Sequence, residues 1–96
     1  MGLEIHEMVI DDYDEVYQLW ELSEQIGLSK ADSHYGIKLF LERNPGMSYV
    51  AVEDGEIIAT VLCGHDGRRG YIHHLMVHPD HRRRGIGRSL VGRCMY

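Results

Sequence analysis

Val77-His78-Pro79-Asp80-His81-Arg82-Arg83-Arg84-Gly85-Ile86-Gly87-Arg88-Ser89-Leu90 joins the end of an apolar strand pattern to an amphipathic helix pattern through a turn dense in arginine and glycine. Gly85 and Gly87 carry no Cβ, so a ligand can approach the backbone there where any side chain would obstruct it. A helix that opens near Gly85 presents unsatisfied N–H groups and the positive end of its dipole. Helix starts of this kind bind phosphate and pyrophosphate. Arg82, Arg83, Arg84 and Arg88 can add charge-assisted hydrogen bonds to phosphate oxygens.

Outward from this turn, the pattern is regular in both directions. Downstream, Ile86, Leu90, Val91 and Met95 recur at helical spacing. Upstream, Tyr71 to Val77 reads as a strand, preceded by a turn over Asp66 to Gly70. Met47 to Val52 and Ile57 to Gly64 are rich in Val, Ile and Ala, and Asp54-Gly55 between them is a tight-hairpin signal. Further back, Ser33 or Asp32 caps a predicted helix from His34 to Arg43, with Ile37, Phe40 and Leu41 inward and Asn44-Pro45-Gly46 as its stop. An earlier helix carries Tyr13, Val16, Tyr17, Trp20 and Ile26 as its apolar stripe, with Gly27 at its end. Asp12 is its predicted N-cap, and Glu15 would complete a capping box. Leu3 to Met8 alternates apolar and polar and reads as the first strand. The order β-α-α-β-β-β-α predicts one domain over residues 1–96, a mixed α/β (α+β) fold with an antiparallel meander. The last helix reaches Cys94-Met95-Tyr96 with no C-cap glycine, so the sheet is expected to continue beyond it.

Ninety-six residues make a small domain, which buries about 60–65% of its unfolded surface. The formal net charge is −5, but it is unevenly spread. Residues 1–60 hold thirteen Asp and Glu against three Lys and Arg, whereas residues 61–96 hold two against seven. An arginine-rich end on an acidic chain points to an anionic ligand at that end. Nucleic acid is disfavoured, because the overall balance is acidic and no aromatics interleave with the arginines to stack bases. No apolar run approaches the roughly 20 residues that span a bilayer, and the N-terminus lacks a secretory or myristoylation pattern. The expected compartment is the cytoplasm. There a disulfide is not expected, and Cys63 and Cys94 read as small apolar residues of a strand and a helix, with a catalytic thiol as the rival reading.

The spacing of the glycines sorts the kinds of phosphate cradle. A P-loop needs GxxxxGK[ST], and no lysine follows either glycine; a dinucleotide fingerprint needs a third glycine, which Leu90 replaces. Arg82-Arg83-Arg84-Gly85-Ile86-Gly87 does satisfy [QR]xxGx[GA], and it is flanked by an apolar strand, a Val-x-Pro lead-in and an amphipathic helix. In this the chain resembles the GNAT (Gcn5-related) N-acetyltransferase family, and the upstream order of elements follows that family's plan over nearly the whole chain.

The resemblance implies acyl transfer from acetyl-CoA to a primary amine by direct attack on the thioester, with the enzyme supplying proximity, an oxyanion contact and proton removal. It implies that the main chain of Leu75, Met76 and Val77 pairs with the pantetheine arm. The segment Arg82, Arg83, Arg84, Gly85, Ile86, Gly87 and Arg88 would hold the pyrophosphate. Relatives often place a carboxylate base early on the fourth strand. Here Tyr71 stands at that point, followed by His73 and His74, and these three are the catalytic candidates. Strand alternation would put His73 and His74 on opposite faces. His78 and His81 share the turn with arginines that would repel a cation, so no metal is expected. The family's fifth strand, and the tyrosine after it that protonates the thiolate, have no counterpart here, and Tyr96 belongs to the third helix. A shortened chain of this kind could be completed by a homodimer or a strand-swapped assembly. Two rival readings follow: a non-catalytic CoA- or phosphate-binding fragment, and an interaction module that uses the free strand edge. The acceptor, a small-molecule or peptide amine, is not named by any residue pattern.

Overall fold

The computed structural model describes residues 2–23, 28, 32–65, 67, 70–82 and 84–94. Its elements are β1 (Leu3–Glu7), α1 (Tyr13–Glu21), α2 (His34–Arg43), β2 (Tyr49–Glu53), β3 (Glu56–His65), β4 (Gly70–Val77) and α3 (Ile86–Cys94). The strands form one antiparallel sheet in the order β1-β2-β3-β4, with β4 at its edge. The predicted order of elements and the mixed α+β class are what the structure has. Asp54 and Gly55 join β2 to β3 with φ of 53° and 81°, the pair of positive φ values that a tight hairpin turn requires.

The two helix starts differ in how they are capped. Ser33 accepts from the Gly36 N–H at 3.1 Å and caps α2, which runs over the residues its pattern predicted. The capping box predicted for α1 does not form. Asp12 is already helical at φ −81°, ψ −7°, at the end of a 3-10 turn over Ile10–Asp12, and makes no side-chain cap bond. Its Oδ2 instead accepts from the Val9 N–H, while the Glu15 carboxylate reaches across to the Ile57 N–H at 2.7 Å. A tertiary donor on β3 has taken the side chain that a local cap would have used. Ile26, Gly27 and Met95, which the sequence placed on helices, lie outside the described residues.

The sheet separates two apolar cores. Val16, Leu19 and Trp20 of α1 and Ile37 of α2 pack with Val50, Leu62 and Met76 on one face. Ile86 and Leu90 of α3 pack with Ala51, Ala59, Val61 and Cys63 on the other. β3 lies between these layers and is buried from Ile57 to Gly64. Cys63 and Cys94 are joined in a disulfide across 31 residues, with Cα atoms 6.2 Å apart. The expectation of two unpaired cysteines is therefore overturned, and with it the catalytic thiol. Docking α3 against β3 brings the two side chains together, a meeting that their separation in sequence could not reveal.

Candidate functional site

The site is built where β4 passes into α3. The His78 N–H extends the ladder past Val77 by donating to the Ile58 carbonyl at 2.7 Å. Pro79–His81 then makes one 3-10 turn, closed by the His81 N–H on the His78 carbonyl and by the Asp80 N–H on His78 Nδ1 at 3.1 Å. Gly85 adopts φ +77°, which a residue with a Cβ rarely adopts. Its carbonyl accepts from the Ser89 N–H at 3.0 Å, closing the first turn of α3. In this geometry the N–H groups of Ile86, Gly87 and Arg88 come before the first residue that can donate within the helix. A Cβ on Gly85 would meet nothing within 4 Å, and one on Gly87 would lie an ordinary 3.7 Å from Val77. Among the described residues nothing crowds the Gly87 position.

The arginines divide between holding the turn and facing solvent. The Arg84 guanidinium donates to both oxygens of Glu53 and lies 2.8 Å from His81 Nδ1. This ion pair, the Arg84 hydrogen bond first, holds the Glu53 carboxyl below the usual range and raises Arg84 above its own. The side chain of Arg84, expected on a phosphate, thus ties the turn to the end of β2. Arg82 Nε bends back to the Val77 carbonyl at 3.3 Å. Arg88 is exposed on the first turn of α3, and Arg83 lies outside the described residues. Along β4, Leu75 is exposed, Met76 is buried and Val77 is intermediate.

β4 is not a regular strand. Thr60 pairs with Met76 and Leu62 with His73, so His74 and Leu75 together stand opposite Val61. This bulge carries His74 at φ +51°, a conformation uncommon for a residue with a side chain. The expectation that alternation sends His73 and His74 to opposite faces is overturned by it. The His73 ring lies 6.2 Å from Phe40 of α2 and the His74 ring 4.8 Å from Trp20 of α1, both on the helical α1–α2 side. Tyr71 shares that side: its ring covers Gly64, where a Cβ would lie 2.6 Å from the ring.

His74 is also the centre of a polar network within the core. Its Nε2 lies 2.7 Å from Oδ1 of Asp32, whose side chain is only 8% exposed. Its carbonyl accepts from the Thr60 hydroxyl at 3.3 Å, and that hydroxyl accepts from Trp20 Nε1 at 3.0 Å. The Tyr13 hydroxyl donates to the Asp32 carbonyl at 2.6 Å. Burial raises the Tyr13 phenol above its ordinary value, with the negative charges of Tyr17, Asp32 and Asp14 adding to it. Sequence reading weighed Asp32 only as a helix cap and gave Glu53 no role, because neither belongs to a local motif. Among the described residues, no group of three or more His, Cys, Asp or Glu is placed to hold a metal ion.

Residues 8–95 match the family model described as "Acetyltransferase (GNAT) family". An acetyltransferase of Sodalis glossinidius is 36% identical over 91 residues, which cover 95% of this chain and 63% of that protein. The chain therefore spans somewhat under two thirds of the length of that curated relative. Among solved structures, the diaminobutyrate acetyltransferase EctA of Paenibacillus lautus, bound to L-2,4-diaminobutyric acid and coenzyme A, aligns with a TM-score of 0.82 at 16% identity. That alignment covers 98% of this chain and 57% of EctA. The NatC complex bound to Gag peptide and CoA aligns with a TM-score of 0.81 at 23% identity, over 99% of this chain and 65% of that one. At these identities the two structures establish a shared fold.

Proposed function

The chain belongs to the acetyltransferase (GNAT) family, and from that premise we propose that it moves an acetyl group from acetyl-CoA to a primary amine by direct attack on the thioester. The observation that carries this reading is the turn into α3, where Gly85 at φ +77° opens a helix start whose backbone is uncovered. In this proposal the N–H groups from Arg84 to Arg88 hold the pyrophosphate, and the exposed Arg88 side chain supplies charge. Arg82 and Arg83 stand beside them, and Arg84 acts through its backbone because its guanidinium is held by Glu53. The main chain of Leu75, Met76 and Val77, on the sheet's edge strand, pairs with the pantetheine arm. Binding of both partners in one orientation makes the attack effectively unimolecular.

A small or peptide amine is the proposed acceptor; EctA holds a diamino acid and NatC a peptide on the same fold. No helix among the described residues is long and apolar enough to cross a membrane. The cytoplasm is the proposed compartment, and in its reducing milieu the Cys63–Cys94 pair would be held as two thiols.

Titration calorimetry with acetyl-CoA tests the reading. Saturable binding that weakens with added salt and is lost in Gly85→Asp supports it; a folded chain that takes up no acetyl-CoA overturns it. A second reading, a binding unit that associates through a strand edge, is favoured by the half-exposed Tyr71, Ile72 and Leu75 on β4, which among the described residues pairs with β3 alone. Light scattering decides that point: a stable monomer speaks against it.

A further inference from the structure

We infer that His74 is the general base of acetyl transfer and that Asp32 is the positioning residue that fixes which ring nitrogen does the work. The inference rests on the acetyl-transfer reading above. Among the described residues, His74 is the one of the three β4 candidates with a carboxylate in reach, 2.7 Å away. Tyr71 packs over Gly64, and His73 lies against Phe40 and Tyr71.

Asp32 Oδ1 accepts a hydrogen bond, so Nε2 of His74 carries a proton and Nδ1 is left with its lone pair. Among the described residues Nδ1 has no hydrogen-bond partner, and the side chain keeps 20% of its surface exposed. Asp32 and Trp20 orient the ring while leaving its Nδ1 side uncovered by any described hydrogen-bond partner. Trp20 meets it edge-on at 4.8 Å, and the Thr60 hydroxyl holds the His74 carbonyl. Among the described residues, the other titratable groups on this side include Tyr13, which donates to the Asp32 carbonyl, and His73, next along β4.

The backbone supplies a second, independent observation. His74 sits at φ +51° in the bulge, a costly conformation for a residue with a side chain, which persists where the surroundings enforce it. Counted from His73, regular alternation would put His74 on the other face; the bulge leaves both rings, and Met76 after them, on the α1–α2 side. His74 stands there immediately before Leu75, where the proposed cofactor strand begins.

In the step itself, the amine nitrogen forms a bond to the acetyl carbon and the carbon–sulfur bond breaks. Nδ1 of His74 takes one proton from that nitrogen. The sulfur leaves with the bonding electron pair, and the proton returned from the imidazolium yields the free thiol of CoA. With water in place of the amine, the same proton transfer gives acetate and the thiol.

The test combines binding, turnover and ring protonation in the whole chain. Acetyl-CoA affinity is measured by calorimetry in the wild type, His74→Gln and Asp32→Asn. Thiol release from acetyl-CoA is followed against pH with ethanolamine, and with water alone. Long-range proton–nitrogen spectra of labelled histidine report the tautomer in the wild type and in Asp32→Ala. The expected result is unchanged affinity, a kcat loss of about 10²–10⁴-fold in His74→Gln with the acid limb of the profile gone, and an intermediate loss in Asp32→Asn. The wild-type ring should carry its proton on Nε2, with mixed tautomers once Asp32 is Ala. A wild type that binds no acetyl-CoA overturns the acetyl-transfer reading and this inference with it. Bound acetyl-CoA with wild-type turnover and pH profile in His74→Gln overturns the inference alone. So does bound acetyl-CoA with no thiol release above background, or a wild-type ring protonated on Nδ1.

Discussion

Arg84 and Glu53, 31 residues apart in the chain, meet through two parallel hydrogen bonds that tie the turn before α3 to the last residue of β2. Bidentate guanidinium–carboxylate pairing fixes orientation as well as distance. The carbonyl of Gly85, the next residue, starts the α3 ladder, so the pair orients the backbone that leads into the proposed cradle.

This pair makes stability depend on pH in a defined direction. The Glu53 carboxyl is held below its ordinary value of 4.5, chiefly by Arg84. A group with a depressed folded value contributes stability above its unfolded value, and that contribution is lost as pH falls through the folded one. Urea midpoints of wild type and Glu53→Gln should therefore differ near neutral pH and converge as the pH falls through the depressed folded value. The gap should be modest and should narrow in high salt, because the pair is at the surface. A gap that widens on acidification would contradict the assignment.

Reduction of Cys63–Cys94 should destabilise the fold. Closing a loop of 31 residues is worth about 3–4 kcal/mol in the loop-entropy account. Urea denaturation with and without dithiothreitol measures the loss, and the Cys63→Ala, Cys94→Ala double variant should be insensitive to reductant. Equal midpoints for oxidised and reduced wild type would show that the link adds nothing.

Thr60→Val removes the acceptor for the indole N–H of Trp20 while keeping the shape of the side chain. Both residues are fully buried, so the N–H would be left without its partner. The expected cost is about 1–3 kcal/mol, read as a lower thermal midpoint. The Trp20 fluorescence should report the change in the same melt.

The two glycines of the turn should respond differently to alanine. Gly85→Ala forces a Cβ onto φ +77°, at a cost of about 1–2 kcal/mol. Gly87→Ala fits without crowding and raises helix propensity, so its thermal midpoint should be equal or slightly higher. Acetyl-CoA affinity should hold in Gly87→Ala, since that motif position admits alanine, and fall in Gly87→Asp, whose carboxylate would meet the pyrophosphate. Unchanged affinity in Gly87→Asp would move the cradle elsewhere.

Much of the fold was legible because it is set by short-range rules. The His34–Arg43 helix follows from a Ser33 cap and an apolar stripe, and the Asp54-Gly55 turn from the demand for positive φ. The strand–turn–helix around Gly85 follows from the same kind of local chemistry, which is why the family could be read from the motif. The α1 start was misread where locality failed: Glu15 had the spacing of a cap partner, but the Ile57 N–H took it.

What the sequence determined by itself, then, is the order of elements, the antiparallel meander and the glycine-bearing turn into α3. Each depends on residues within a turn or two of one another, where periodicity and φ preference act directly. Tertiary structure alone decided the Cys63–Cys94 link, the Glu53–Arg84 tie, and the turning of His74 onto Asp32 across 42 residues. Strand alternation predicts a side chain's face only while the ladder is unbroken. The bulge at His74 and Leu75 breaks it, and nothing in the local residue pattern marks where the register slips.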